Sequence, residues 1–393
     1  MSIATSHDRR VFGLDLLRAL SVLFVVYGHG YYLIKSEVDE GIYNIPVFDG
    51  VTAFFVLSGF LIGRILLRTI EREDFGGKIL LEFWIRRWFR TIPNYIAVLL
   101  FLLLAFSLLD KPISENAIYY FAFSQNLYSR HPNFFPEAWS LAVEEWFYLL
   151  IPIPLYLASR WRSLSRRRLM LICIFAVILA VTAFRMYRAY KYGYANEAQW
   201  DANLRKQVLT RLDSLMIGVL GAYLSLYHSN AWRRIAGAAF AFGILLLVGD
   251  KVFLTIFQDM HGAHSPEMLY RNYLTLSVTP FAVLLLLPAL SMWKKGGGAL
   301  VSTVTFVSLT SYSMYLLNLT PVQGVILPIA LDSIKLFCWT CSQSKALAYS
   351  LYWLFTVAGA FLLYKYFERP MTGLRDKRRA RSTPPAVAFS PTE

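Results

Sequence analysis

Arg18 and His29 lie eleven residues apart in one apolar stretch, LDLLRALSVLFVVYGH at residues 14–29. On a helix, eleven residues turn through about 1100°, which leaves the two side chains roughly 20° apart on one face. Along the axis they are about 16 Å apart. A neutral imidazole accepts protons near pH 7, and a guanidinium matches carboxylate and phosphate oxygens. One helical face therefore carries a candidate general base and a candidate anion-steering group. Asp15, one turn before Arg18, is close enough to pair with it. The plainer alternative is an edge ion pair beside a histidine satisfied at an interface.

Other ionisable groups fall in apolar surroundings, where a charge costs at least about 2.5–3.5 kcal/mol at the centre of a span. WSLAVEEWFYLLIP (139–152) carries Glu144 and Glu145, and RLDSLMIG (211–218) carries Arg211 and Asp213. FWIRRWFR (83–90) carries Arg86, Arg87 and Arg90, and Arg64 closes the second apolar stretch. Alternating the spans puts His29, Glu144, Arg211 and Asp213 in the outer half, and Arg64, Arg86, Arg87 and Arg90 at the inner edge. This segregation predicts a polar cavity with an anion-binding inner mouth. Snorkelling to lipid headgroups is the alternative for the arginines. Ser58 and Gly59 of FFVLSGF read equally well as helix packing or as a site.

The elements that must position these residues are membrane spans. Of 393 residues, 56% are hydrophobic and 16% charged, with mean hydropathy +0.46; soluble domains average about 25% charged. The chain reads as an all-α integral membrane protein of about ten transmembrane helices. The windows are 12–34, 46–67, 91–109, 139–157, 169–184, 209–227, 235–256, 272–290, 300–330 and 346–367. The formal charge of +14 does not indicate nucleic acid as a partner. Most Lys and Arg fall on the side of the alternating loops that holds the N-terminus, which places both N-terminus and C-terminus in the cytoplasm.

No signal peptide is expected, because the first apolar stretch holds Asp15, Arg18 and His29 and no small-residue cleavage site follows. Residues 1–375 form a single transmembrane unit. Residues 376–393 are a basic, then Ser/Thr/Pro-rich, cytoplasmic tail expected to be disordered. Three cysteines exclude a disulfide scaffold; Cys338 and Cys341, in an expected outer loop, are either a local disulfide or bystander thiols. Six scattered histidines give no metal site.

In order along the chain stand LDLLRALSVLFVVYGH, FFVLSGFLI, RRWFRTIP, WSLAVEEWFYLLIP, RLDSLMIG, SYSMYLLNLTPV and YKYFERP. Each is weak alone, but together, from Phe12 to about Leu374, they resemble the membrane acyltransferase-3 family of inner-membrane O-acyltransferases. The resemblance implies transfer of an acyl group, usually acetyl from acetyl-CoA, to a hydroxyl of a glycan or other envelope molecule. It maps the family's essential histidine onto His29 and its first-helix arginine onto Arg18. One departure stands out. Related sequences usually read Y-L-x-H where this chain has Tyr315, Leu316, Leu317 and Asn318, so a second histidine's role does not carry over. No SGNH-type hydrolase domain follows the tenth span, so delivery is expected to finish in the membrane unit or on a separate partner.

Residues and resemblance combine into one expectation. Acetyl-CoA, or another acyl-CoA, is a donor substrate rather than a tightly bound cofactor. Its phosphates meet Arg87, Arg90 and Arg64, and its pantetheine arm runs along the face from Arg18 to His29. His29 acts as general base or as an acyl-histidine relay. Glu144 orients His29, and Arg18 steers the donor or stabilises oxyanion charge. Arg211 and Asp213 bind the acceptor, a glycan or lipid-linked saccharide, with specificity from loops 110–138 and 185–208. The setting is the bacterial cytoplasmic (inner) membrane, in contact with its lipids. The rivals are a small-metabolite acceptor such as a macrolide, and a non-enzymatic glycan transporter or flippase.

Overall fold

Apolar segments with no water to pair their backbone groups must satisfy them internally, and helices do so within one segment. The computed structural model describes residues 10–38, 43, 48–71, 76–160, 165–257, 260, 262–333 and 342–373, and among these there is no strand. In chain order the principal helices are α1 (Phe12–Ile34), α2 (Gly50–Ile70) and α3 (Gly77–Leu108). Next come α4 (Ala138–Leu150, continued by Pro152–Arg160), α5 (Arg166–Tyr192), α6 (Leu212–Tyr227) and α7 (Ala236–Phe257). The last three are α8 (Leu276–Met292, entered through Pro266–Tyr270), α9 (Ala299–Leu317, continued to Ser333) and α10 (Ser342–Leu363).

Among the described residues nine helices are long and apolar enough to cross a membrane. The sixth expected span departs from the reading of ten. α6 has 16 residues, about 24 Å at 1.5 Å per residue, short of the roughly 30 Å of a hydrocarbon core. Its first polar residues fold back instead of extending it. Val208–Thr210 make a 3₁₀ turn, and the Thr210 hydroxyl donates to the carbonyls of Leu204 and Gln207. The expected tail and the Cys338–Cys341 pair lie outside the described residues.

α2, α4, α6 and α8 are buried over more than half their residues, and α1 packs against α2, α8 and α9. α5, α7 and α10 turn Leu179, Leu245 and Leu354 outward, as lipid-facing helices do. At the crossing of α2 and α6 two glycines bring the backbones together. A Cβ on Gly59 would stand 1.9 Å from the Leu215 carbonyl oxygen, and one on Gly218 would stand 2.1 Å from that of Val56. Of the two small residues in FFVLSGF, Gly59 is therefore a packing residue.

α9 is broken. Pro321 lacks an amide hydrogen, and Asn318–Ile326 widens into a π-helical stretch. Side chains take over the released backbone groups, as an irregular segment inside an apolar bundle requires. Asn318 Nδ2 donates to the carbonyls of Met314 and Tyr315. Lys111 Nζ donates to that of Gly324, and the amide of Thr320 donates to Glu137.

Candidate active site

The site starts on α1, whose first turn meets the end of α8 where the Gly13 amide donates to the Trp293 carbonyl at 2.9 Å. The expected Asp15–Arg18 pair is not the main contact there. Arg10 takes Asp15 with two hydrogen bonds of 2.9 and 2.8 Å, Ser308 adds a third at 2.8 Å, and Arg18 comes no closer than 4.0 Å. Arg10 lies just ahead of α1, where its side chain reaches back over the first turn. Arg18 is thereby left facing a cavity.

That cavity has a volume of about 940 Å³ and opens at the end of the bundle where α1 starts. Arg18, Arg64, Arg87 and Arg90 all line it, together with Arg68. The arginines expected to hold a donor's phosphates are thus gathered with the first-helix arginine around one space. Its polar wall is completed by Ser58, Thr91, Glu144, Tyr148, Tyr312 and Tyr315. Ser58 donates to Glu144 at 3.2 Å and the Tyr148 hydroxyl donates to it at 2.7 Å. Arg90 and Arg18 act on it electrostatically. Glu144 is therefore not the partner of His29. It sits at the level of Arg18, while His29 is about 16 Å further along α1 at 1.5 Å per residue.

His29 does not line the cavity. It is half-buried beyond it, with Nδ1 2.6 Å from Asn318 Oδ1. Between cavity and histidine stands Tyr315, whose hydroxyl is 2.6 Å from that of Ser140 and donates to the Glu137 carbonyl. The Tyr315 carbonyl in turn accepts from Asn318 Nδ2 at 2.8 Å. Cavity wall, broken helix and histidine are thus linked through Tyr315 and Asn318.

Arg211 and Asp213 lie elsewhere, fully buried at the start of α6. Asp213 is paired with Arg185 at 2.5 Å, and Arg211 donates to the Thr52 hydroxyl. Neither lines the cavity; here they make a buried ion pair and a hydrogen bond within the bundle. The cations that act electrostatically on His29 are Arg205 and Lys206, both ahead of α6. Burial works against the Arg205 charge, but the Asp49 and Asp201 carboxylates outweigh burial and hold its pKa above the ordinary arginine value.

Sequence reasoning missed Glu137, Tyr148, Tyr312 and Tyr315. The spacing of Tyr312 and Tyr315, one turn apart and ahead of Pro321, was the available signal for a polar face beside a break. Glu137 carried no comparable signal; its carboxylate accepts from both the amide and the hydroxyl of Thr320.

Comparison with known proteins bears on this arrangement. The acyltransferase-3 family model, described as an acyltransferase domain, matches residues 11–365. The chain is 30% identical over 229 residues to the O-acetyltransferase OatA of Staphylococcus aureus strain NCTC 8325, and equally to that of strain COL. The alignment covers 54% of this chain and 34% of each relative, so the match spans about a third of the relatives' own length. No solved structure matches the chain.

Proposed function

Because the chain belongs to the acyltransferase-3 family, we propose that it is a multi-pass O-acyltransferase of the bacterial cytoplasmic membrane. Both termini face the cytoplasm, acetyl-CoA is the donor, and the acceptor is a hydroxyl of an envelope or exported glycan, free or lipid-linked. The observation that carries this reading is the arginine-lined cavity opening where α1 starts, with His29 further along the same helix.

The nucleotide phosphates rest on Arg64, Arg87 and Arg90, since guanidinium binds phosphate oxygens bidentately. Arg18, deeper in the cavity, steers the donor towards His29; at about 16 Å from that residue it is too far to stabilise charge on the same carbonyl. The thioester passes when the Ser140–Tyr315 hydroxyl pair parts. His29 Nε2 then takes the proton of the acceptor hydroxyl, whose oxygen attacks the thioester carbonyl. A C–O ester bond forms and the C–S bond breaks. The imidazolium returns its proton to the departing coenzyme A thiolate.

In proteoliposomes given acetyl-CoA and envelope glycan, His29→Ala should lower ester formation by about 10²-fold or more. Normal transfer by that variant would sink the mechanism. The broken α9 favours a second reading, because discontinuous helices also build transport sites. Mass spectrometry of surface glycan from a deletion strain separates the two: exported glycan lacking its ester acetyl supports the enzyme, whereas glycan retained inside supports transport.

A further inference from the structure

The amide of Asn318 makes three contacts that together determine which way it points. Nδ2 lies 3.0 Å from the Met314 carbonyl oxygen and 2.8 Å from that of Tyr315. Both amide hydrogens are used there. Turning the group over would set Oδ1 against two acceptors at those distances, so the oxygen must be the atom facing His29. An amide oxygen only accepts. The 2.6 Å contact between Asn318 Oδ1 and His29 Nδ1 therefore requires a proton on Nδ1.

We propose that Asn318 is a positioning residue that holds His29 as the Nδ1–H tautomer and leaves Nε2 bare to accept a proton. The inference rests on the acyl-transfer reading for its use, but the tautomer itself follows from the hydrogen bonds. Its surroundings secure it from several sides. Gln323 donates to the His29 carbonyl at 3.0 Å, tying the broken stretch of α9 to α1. The Tyr352 hydroxyl donates to the Val26 carbonyl at 2.8 Å and lies 3.4 Å from Asn318 Oδ1. Asn318 is fully buried, so water does not compete for its oxygen. His29 Nε2 makes no hydrogen bond to the described residues.

The same geometry accounts for the departure at this position. An asparagine in the widened turn of α9 closes two backbone carbonyls and presents its oxygen to the imidazole in one move. A residue without that oxygen leaves the two neutral tautomers free to exchange. Only one of them has its lone pair on Nε2.

Two measurements test this on the full chain in lipid bilayers. The first is solid-state NMR of protein labelled with ¹⁵N-histidine, where removing one of the six histidines by His29→Gln assigns the His29 signals. Wild-type protein should show Nδ1 protonated and Nε2 unprotonated, and Asn318→Leu should show a mixture of tautomers. A wild-type His29 protonated on Nε2 overturns the proposal whatever reaction the protein performs. The second is steady-state transfer from acetyl-CoA to isolated envelope glycan. Asn318→Leu should lower kcat severalfold, in proportion to the share of His29 left as the Nδ1–H tautomer, with an unchanged KM for acetyl-CoA. Full kcat in Asn318→Leu alongside an inactive His29→Ala overturns the role of Asn318 and leaves the general reading intact. Full activity in His29→Ala removes the general reading and leaves the NMR result to decide the tautomer.

Discussion

Arg10 occupies the Asp15 carboxylate that Arg18 would otherwise hold, and the consequence is a cavity whose cations outnumber its anions. Arg18, Arg64, Arg87 and Arg90 share it with one lining carboxylate, Glu144, which is engaged by Ser58 and Tyr148. Such a space suits a polyanion. A charge-assisted hydrogen bond is worth about 1.5–3 kcal/mol, and about 1.4 kcal/mol is tenfold in affinity. Arg90→Ala should therefore raise the KM for acetyl-CoA about tenfold or more. The same change should leave the KM for acetyl-pantetheine unaltered, because that donor has the thioester arm without the nucleotide phosphates. Equal losses with both donors, measured in proteoliposomes, would show that Arg90 shapes the cavity and does not bind phosphate.

Elements carry the site by how closely they approach one another. At the α2–α6 crossing, Gly59→Ala inserts a Cβ 1.9 Å from a backbone oxygen, and backbone cannot swing aside as a long side chain can. Forcing extra atoms into a packed contact costs about 1–3 kcal/mol or more. Gly59→Ala should lower the thermal unfolding midpoint of the protein in nanodiscs by several degrees. Gly249→Ala on α7, where a Cβ would meet nothing within 4 Å, should leave the midpoint unchanged or slightly raised. Equal midpoints for the two variants would refute the close crossing.

The same elements explain what was legible in the sequence. A span announces itself because it needs about 20 apolar residues, and residues on one helix keep a fixed angular relation, so Arg18 and His29 could be placed on one face. Arg87 and Arg90 were grouped for the same reason. Partners on different helices depend on depth and rotation, which no local pattern records. Local pattern therefore places Glu144 with His29, whereas it is bound by Ser58 and Tyr148, and it does not show that Arg211 and Asp213 reach Thr52 and Arg185. Asn318 was visible as a departure, but its meaning required the fold of α9.

At the scale of the whole molecule, the loop between α3 and α4 is tied to the rest by buried polar groups. Asn126 Nδ2 donates to the carbonyls of Trp139 and Lys206. Tyr95 and Tyr120 donate to the carbonyls of Tyr120 and Pro132. His131 is buried in this cap, edge-on to the Tyr120 ring at 5.7 Å. Burial pushes its pKa down to about 4 from the ordinary 6.5. The folded cap therefore holds a neutral imidazole, while the unfolded chain gains a proton below pH 6.5. The part of the stability that depends on His131 is full above pH 6.5 and falls as the pH drops towards 4, by ~2 kcal/mol at pH 5. In nanodiscs, taking the wild type from pH 7 to pH 5 should therefore change its unfolding midpoint less favourably than it would if His131 did not titrate. His131→Phe, which keeps an aromatic ring beside Tyr120 and removes the titrating group, should abolish most of that difference. An undiminished acid shift in His131→Phe would assign the sensitivity to other groups and leave the buried imidazole without a part in it.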